Sequence, residues 1–491
     1  MNLGLALLSR VARAPDAPAI ESDERAWTFA ELADRARRGA GYVLGHAQAG
    51  PAPIALLLPG DAQFVAWFMA VALAGRVVLP LNTRLTAGEL AQQLSDARVT
   101  TMICDPDDAR ADELAALVPG LRALTAPELA TLPSSPGQLP GEGIAADSTL
   151  AVLFTSGTSG RAKGACLSWA AFEASAVAAA ERLGAAVNRR WLACMPLFHV
   201  GGLSIVVRSL LFGGPIRLQS RFDAAAVSDA LDAGDIAGVS LVPTMLSRLL
   251  DFRAGRAAPP GVDVLLLGGA AAAPALVQRS LAAGYPVCLT YGLTEATSQV
   301  ATARPPAPGS SSPSPMLALQ GTDIRIAVAD RIAAAGEAGE ILVRGPTVML
   351  GYLNDPAATS RALRNGWLHT GDVGYLDAEG GLHVLDRRDD LVISGGENVY
   401  PAEVEAVLLE HPSVSEAGVT GVADVDLGAR VVAWVVPSAG SAIDIAALAA
   451  HCRQKLAGFK QPREIRVVDS LPRTAAGKLQ RRKLTDAASD S

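Results

Sequence analysis

Apolar and polar positions alternate between two rhythms over the first 130 residues of this chain. From Thr28 the order Phe29-Ala30-Glu31-Leu32 opens an amphipathic helix, with Thr28 as N-cap and Glu31 completing a capping box. Ile54 to Leu58 is a short apolar run stopped by Pro59-Gly60, the mark of a buried strand. Gln63 to Leu73 reads as a helix, and Val77-Val78-Leu79 supplies the next strand. Strand, helix, strand in that order predicts parallel pairing through a crossover helix.

Leu132 to Glu142, rich in Pro, Gly and Ser, reads as a surface connection. Apolar runs at Leu150–Phe154, Trp191–Met195, Gly238–Val242, Val264–Leu267 and Val287–Leu289 predict the strands of a second α/β unit. After a Pro/Ser tract at Arg304–Pro315, short strands around Ile324–Ile326, Glu340–Val343 and Leu382–Leu385 predict a β-rich subdomain. The last hundred residues form a small α+β pattern: helices Pro401–Glu410 and Ala446–Lys455, strands Arg430–Val436 and Glu464–Val468. Five consecutive charges, Asp386 to Asp390, suit a hinge between rigid bodies. The expected fold is therefore α/β: a large N-terminal domain (1–387) of two α/β subdomains plus a β-rich one, a hinge at 388–390, and a small mobile α+β domain (391–491).

Composition narrows the function classes. A chain of 491 residues exceeds what a single core of roughly 250–300 residues supports. Its net charge of −7 argues against a dedicated nucleic-acid binder. Five scattered cysteines without zinc spacing read as buried free thiols of a reducing compartment. With no transmembrane stretch and no basic residue ahead of the first apolar run, a cytoplasmic protein is expected. Lysine occurs only at 163, 455, 460, 478 and 483, while arginine fills nearly every other basic position. A lysine that persists marks a place where a compact ammonium is needed.

Four segments can carry chemistry. Thr155-Ser156-Gly157-Thr158-Ser159-Gly160, ending at Lys163-Gly164, lies after an expected strand and before an expected helix, Ser168–Arg182. Its amides, hydroxyls and lone ammonium can converge on an anion. Gly after the lysine departs from the Walker spacing. Tyr291-Gly292-Leu293-Thr294-Glu295 follows another strand and offers an aromatic face, a hydroxyl and a carboxylate for a base, a phosphate and a metal ion. Gly268-Gly269-Ala270-Ala271 lets a flat ring approach the backbone. Asp372 in His369-Thr370-Gly371-Asp372 is an acceptor suited to vicinal hydroxyls. Lys478, in a Gly-Lys pair near the end, can neutralise developing negative charge. Taken singly, each has a plainer reading as a turn, a cap or a solvated tail.

Taken together they resemble the adenylate-forming superfamily of acyl-CoA synthetases, adenylation domains and luciferases. TSGTSGRAKG, YGLTE, HTGD, DRRDDLVISGGENVYPAEVE and PRTAAGKLQR occur in the family's order over nearly the whole chain, with Ala162 where proline commonly precedes the lysine. The resemblance implies two steps: a carboxylate attacks the α-phosphate of ATP, and a thiol, usually that of coenzyme A, attacks the resulting acyl-AMP. It implies ATP, Mg²⁺ and coenzyme A as partners, a small carboxylic acid as substrate, and admits a homodimer. Carried over by position, Thr155, Ser156, Gly157, Thr158, Ser159, Gly160 and Lys163 hold the β- and γ-phosphates. Tyr291, Gly292, Gly269, Ala270 and Ala271 surround adenine, Thr294 contacts the α-phosphate, and Glu295 binds Mg²⁺. Asp372 and Arg387 grip the ribose, and Lys478 bridges carboxylate and α-phosphate. Asp389 is the hinge, and Ser394, Gly395, Gly396 and Tyr400 meet the pantetheine arm.

The acid is a separate question. Trp191 to Ser204, Arg208 and Thr294 to Gln299 resemble the 2-succinylbenzoate–CoA ligases of menaquinone synthesis. Such an acid carries a second carboxylate, which needs a cation or donors when buried. Arg208, on an otherwise apolar helix, with Ser298 and Gln299, can supply them; a snorkelling surface arginine is the alternative. His199 gates or lines the acyl pocket or is a core histidine. Gly201 stands where several such ligases carry serine, which leaves another aromatic or short aliphatic acid open. A stand-alone enzyme loading a carrier-protein thiol, and a nucleotide binder without catalysis, are the other readings. Intact Lys163, Glu295, Asp372 and Lys478 count against the last.

Overall fold

The computed structural model describes residues 2–22, 25–133, 143–155, 162–269, 272, 274–307, 309–329, 331–386, 392–438, 440–472, 481 and 483–484. They group into two compact units: Met1–Thr83, Leu94–Leu153 and Gly164–Asp386 in one, and Arg84–Gln93, Phe154–Lys163 and Arg387–Ser491 in the other. The expected hinge at 388–390 lies outside the described residues.

The first unit is built on helices and two mainly parallel sheets. Thr28 caps helix Phe29–His46 through the capping box read from the sequence. Strand Ile54–Leu57 is buried at every residue and pairs in parallel with Val78–Pro80, with helix Ala62–Leu73 as the crossover. That helix buries every residue except Gln63. A helix apolar all round needs cover all round. It packs on helices Leu3–Arg13 and Phe29–His46, and Val65 and Met69 face Val206, Leu210 and Ile216 across a small apolar void.

Two expectations are corrected. Strand Thr149–Thr155 was expected in the second α/β unit; it joins the first sheet, between Val78–Pro80 and Lys163–Ser168. An apolar run fixes a buried strand but not its sheet. The second sheet instead recruits the N-terminal hairpin Pro18–Glu21 and Ala26–Thr28 beside Ile216–Leu218. Secondly, the glycine-rich segment leads into a strand, Lys163–Ser168, before helix Trp169–Leu183 begins. Ser168 caps that helix by accepting from the amide of Ala171.

The second sheet runs Val287–Leu293, Val264–Leu267, Gly238–Leu241, Trp191–Ala193, Ile216–Leu218 through its middle. Strands Trp191–Ala193, Gly238–Leu241 and Val264–Leu267 pair in parallel, so their C-terminal ends open on one edge, the usual place for a site. The β-rich sheet has Asp323–Val328, Gly339–Arg344, Trp367–Leu376 and Leu382–Asp386 in antiparallel pairing. In the second unit a long hairpin, Val414–Asp424 with Gly428–Pro437, carries helices Pro401–Leu409 and Ile445–Lys455 over a core of Val399, Val404, Leu408, Val431 and Leu448. All five cysteines are buried free thiols. No helix among the described residues is long and apolar enough to cross a membrane.

Candidate functional site

Strand Val287–Leu293 ends in the YGLTE segment, where Thr294–Ala296 forms a short 3₁₀ turn. The turn closes on strand Ser298–Thr302, which returns antiparallel with Gln299 opposite Gly292. At the corner, Thr297 (φ +49°) and Ser298 (φ +87°) both occupy left-handed backbone. Two consecutive non-glycine residues there, one β-branched, are strained, and such strain clusters where side chains must be aimed. Thr297 is tied down by donating its hydroxyl to the carbonyl of Thr347 at 2.6 Å.

The corner aims two pieces. Tyr291 is buried and donates its hydroxyl to Asp372 Oδ2 at 2.7 Å. This joins the YGLTE and HTGD segments, 81 residues apart. Asp372 is itself buried; its amide donates to Thr370 Oγ1, whose hydroxyl donates to the carbonyl of Ile341. The second piece is Glu295, also buried, whose Oε1 accepts from the Tyr352 hydroxyl at 2.8 Å. Tyr352 lies on a two-residue strand, Gly351–Tyr352, paired to Ala165 and Cys166. Sequence reading missed it; the signal available was its scarcity, six tyrosines in the chain.

Glu295 offers a hard carboxylate donor suited to Mg²⁺. Among the described residues no three His, Cys, Asp or Glu side chains gather into a metal site. One carboxylate fits an ion that keeps waters and takes its other ligands from substrate phosphates.

The residues expected on the acyl side sit on neighbouring elements. His199 is the half-buried N-cap of helix Val200–Phe212, its ring edge-on to Phe198. Arg208, on the same helix, is 4% exposed, so the snorkelling alternative is overturned. Ten of that helix's thirteen residues are buried, which leaves it no wet face at this position. Arg208 Nη2 is buried without a hydrogen-bond partner among the described residues, and desolvation pushes the guanidinium down to about 10. Strand Ser298–Thr302 packs against this helix, and both amide atoms of buried Gln299 also lack partners among the described residues. Orphaned buried polar groups cost roughly 1–3 kcal/mol each unless a ligand satisfies them. Ser298 is half-buried beside Gln299.

Gly269 follows strand Val264–Leu267 in left-handed backbone; Ala270 and Ala271 lie outside the described residues. So do Ser156, Gly157, Thr158, Ser159, Gly160, Arg387, Asp389 and Lys478. Of the glycine-rich segment's ends, Thr155 and Lys163 are half-buried, and the Thr155 hydroxyl donates to the Lys163 carbonyl at a long 3.4 Å. In the second unit, Gly395 and Gly396 have φ +58° and +82° and turn strand Val392–Ser394 into Glu397–Val399. Positive φ at both central residues is the primed hairpin turn, so these glycines have a backbone reason to be there. Ser394 is buried, and half-buried Tyr400 precedes Pro401, the first residue of helix Pro401–Leu409.

An oriented acceptor, Asp372, and a buried carboxylate, Glu295, gather where strand Val287–Leu293 ends, an arrangement that suits a nucleotide-binding enzyme. The chain belongs to the AMP-binding enzyme family: the family's model matches residues 7–353, and that of the AMP-binding enzyme C-terminal domain matches 403–478. It is similar to a 2-succinylbenzoate–CoA ligase of Geobacillus kaustophilus, 42% identical over 97% of this chain and 96% of the relative. It is also similar to o-succinylbenzoate CoA synthetase of Bacillus subtilis bound with a product analogue, with 35% identity, a TM-score of 0.90 and 98% of each chain covered. The same synthetase with ATP and magnesium matches at 35% identity and a TM-score of 0.73, again over 98% of each chain.

Proposed function

We propose that this chain is an ATP-dependent acid–CoA ligase working through an acyl-adenylate, with 2-succinylbenzoate as its acid. The observation that carries the acid is the pair of buried groups, Arg208 Nη2 and the Gln299 amide, that have no partner among the described residues and lie on two elements that pack together. A second, unreacting carboxylate can accept from both Arg208 Nη2 and Gln299 Nε2. The named activity of relatives at 42% and 35% identity over nearly the full chain supports the same reading.

In the first step a carboxylate oxygen of the succinyl arm attacks the α-phosphorus of ATP, and pyrophosphate leaves. Asp372, oriented by Tyr291, accepts from the ribose hydroxyls, and Arg387 donates to them. Thr294 and Lys478 bind the α-phosphate, and Thr155, Ser156, Thr158 and Lys163 the β- and γ-phosphates. Mg²⁺, held by Glu295, neutralises phosphate charge when bound. In the second step the coenzyme A sulfur attacks the acyl carbonyl and AMP leaves. Ser394, Gly395, Gly396 and Tyr400 line the thiol's approach. Positioning and charge neutralisation do most of the work.

The test is AMP release by the full-length protein with ATP, Mg²⁺ and 2-succinylbenzoate, with and without coenzyme A, beside a panel of benzoates and short fatty acids. Coenzyme A-dependent turnover that favours succinylbenzoate is expected. Preference for another acid discards the succinylbenzoate reading, and no AMP from any acid discards the ligase reading.

A further inference from the structure

The acid-recognising arginine has an unusual support. Its Nη2 has no hydrogen-bond partner among the described residues, yet the side chain is buried. What holds it is an aromatic face: Arg208 Cζ lies 4.7 Å from the ring centroid of Trp191. A desolvated guanidinium is drawn to the face of an indole, and the attraction grows as water is excluded. The indole is itself fixed. Trp191 stands opposite Gly238 in the parallel ladder, and its ring leans across the neighbouring strand. A Cβ added at Gly238 would lie 2.3 Å from Trp191 Cε3 and 2.4 Å from Cζ3, so the ring occupies the space a side chain there would take. Two residues on, on the same face of that strand, buried Ser240 accepts from Trp191 Nε1 at 3.3 Å. Stack and hydrogen bond together leave the ring little freedom to slide or roll.

We propose that Trp191, seated on Gly238 and Ser240, is a positioning residue for acid recognition: it presents the Arg208 guanidinium to the second carboxylate of the substrate. The inference rests on the reading of Arg208 given under the proposed function. A long arginine side chain loses much rotamer freedom when it binds an anion. The indole removes that freedom beforehand without consuming a guanidinium N–H, since a ring face accepts none of them in the plane of the fork. Nη2 therefore stays available for a carboxylate oxygen. A carboxylate or carbonyl partner would fix the arginine equally well, but would cancel its charge or occupy its donors.

The experiment compares 2-succinylbenzoate with 4-oxo-4-phenylbutanoate, which lacks the ring carboxylate, in full-length wild type, Trp191→Leu, Trp191→Phe and Gly238→Ala. Circular dichroism and Tm check the fold. Trp191→Leu is expected to raise KM for succinylbenzoate about tenfold, with kcat little changed and KM for the monoacid within about twofold. Trp191→Phe, which keeps a ring face, recovers most of that loss. Gly238→Ala, which pushes on the indole without removing it, reproduces the acid-selective loss and serves if the leucine variant does not fold. Equal loss for both acids, or a phenylalanine variant as poor as leucine, overturns the inference and leaves the proposed function standing. A wild type that handles the two acids alike removes the Arg208 reading and this inference with it.

Discussion

Two clusters within the first unit treat polarity in opposite ways. The buried side chains of Tyr291, Asp372 and Glu295 are paired: Tyr291 with Asp372, Asp372 with Thr370, Glu295 with Tyr352. Arg208 Nη2 and the Gln299 amide atoms, by contrast, have no partner among the described residues. A paired cluster is built before its ligand arrives. An open one carries a desolvation cost until the right ligand arrives, and that cost is a means of selection. Under the proposed function, the constant half of the reaction is pre-wired and the variable half is left for the acid to complete.

That contrast can be broken at several points. The largest effect is expected for Asp372→Ala, which removes the proposed ribose acceptor and strands the Tyr291 hydroxyl; ATP–pyrophosphate exchange should fall about 100-fold or more. Exchange at wild-type rate would take Asp372 out of the nucleotide site. Next, Arg208→Ala should raise KM for 2-succinylbenzoate about 30-fold while 4-oxo-4-phenylbutanoate stays within about twofold. An equal rise for both acids would make Arg208 a packing residue. Tyr352→Phe removes a donor to the proposed metal carboxylate, and weaker Mn²⁺ binding, about tenfold by electron paramagnetic resonance with nucleotide present, is the expected result. Unchanged Mn²⁺ affinity would separate Tyr352 from the ion. The smallest and sharpest test is on stability of the free protein. Gln299→Leu should stabilise it by about 1 kcal/mol in urea unfolding, whereas Tyr291→Phe should destabilise it by about the same amount. If both moved the same way, the paired and open clusters would not differ in the sense argued.

Much of the framework is legible in the sequence because it rests on local rules. The Thr28 capping box, the parallel pair Ile54–Leu57 and Val78–Pro80, and strand Val264–Leu267 follow from spacing and apolar runs. What spacing does not encode is long-range choice. Thr149–Thr155 pairs with the first sheet because connection geometry, not apolarity, selects a partner. The Tyr352–Glu295 bond spans 57 residues from a two-residue strand that has no pattern of its own. The left-handed Thr297 contradicts its residue type, so only the folded corner reveals it. A lone arginine on an apolar helix reads equally as snorkelling or buried until its neighbours are known.

Helix Ala62–Leu73 has a consequence for synthesis. It has no outward face, and Val206, Leu210 and Ile216, which close over it, come more than 130 residues later in the chain. At about 5–20 residues per second, the ribosome needs roughly 7–30 s to deliver them. For that interval the face that the two earlier helices do not cover stands bare, and a chaperone or the nascent chain's own collapse must shelter it. A ribosome stalled anywhere between residues 80 and 200 would therefore release a fragment with that apolar face bare.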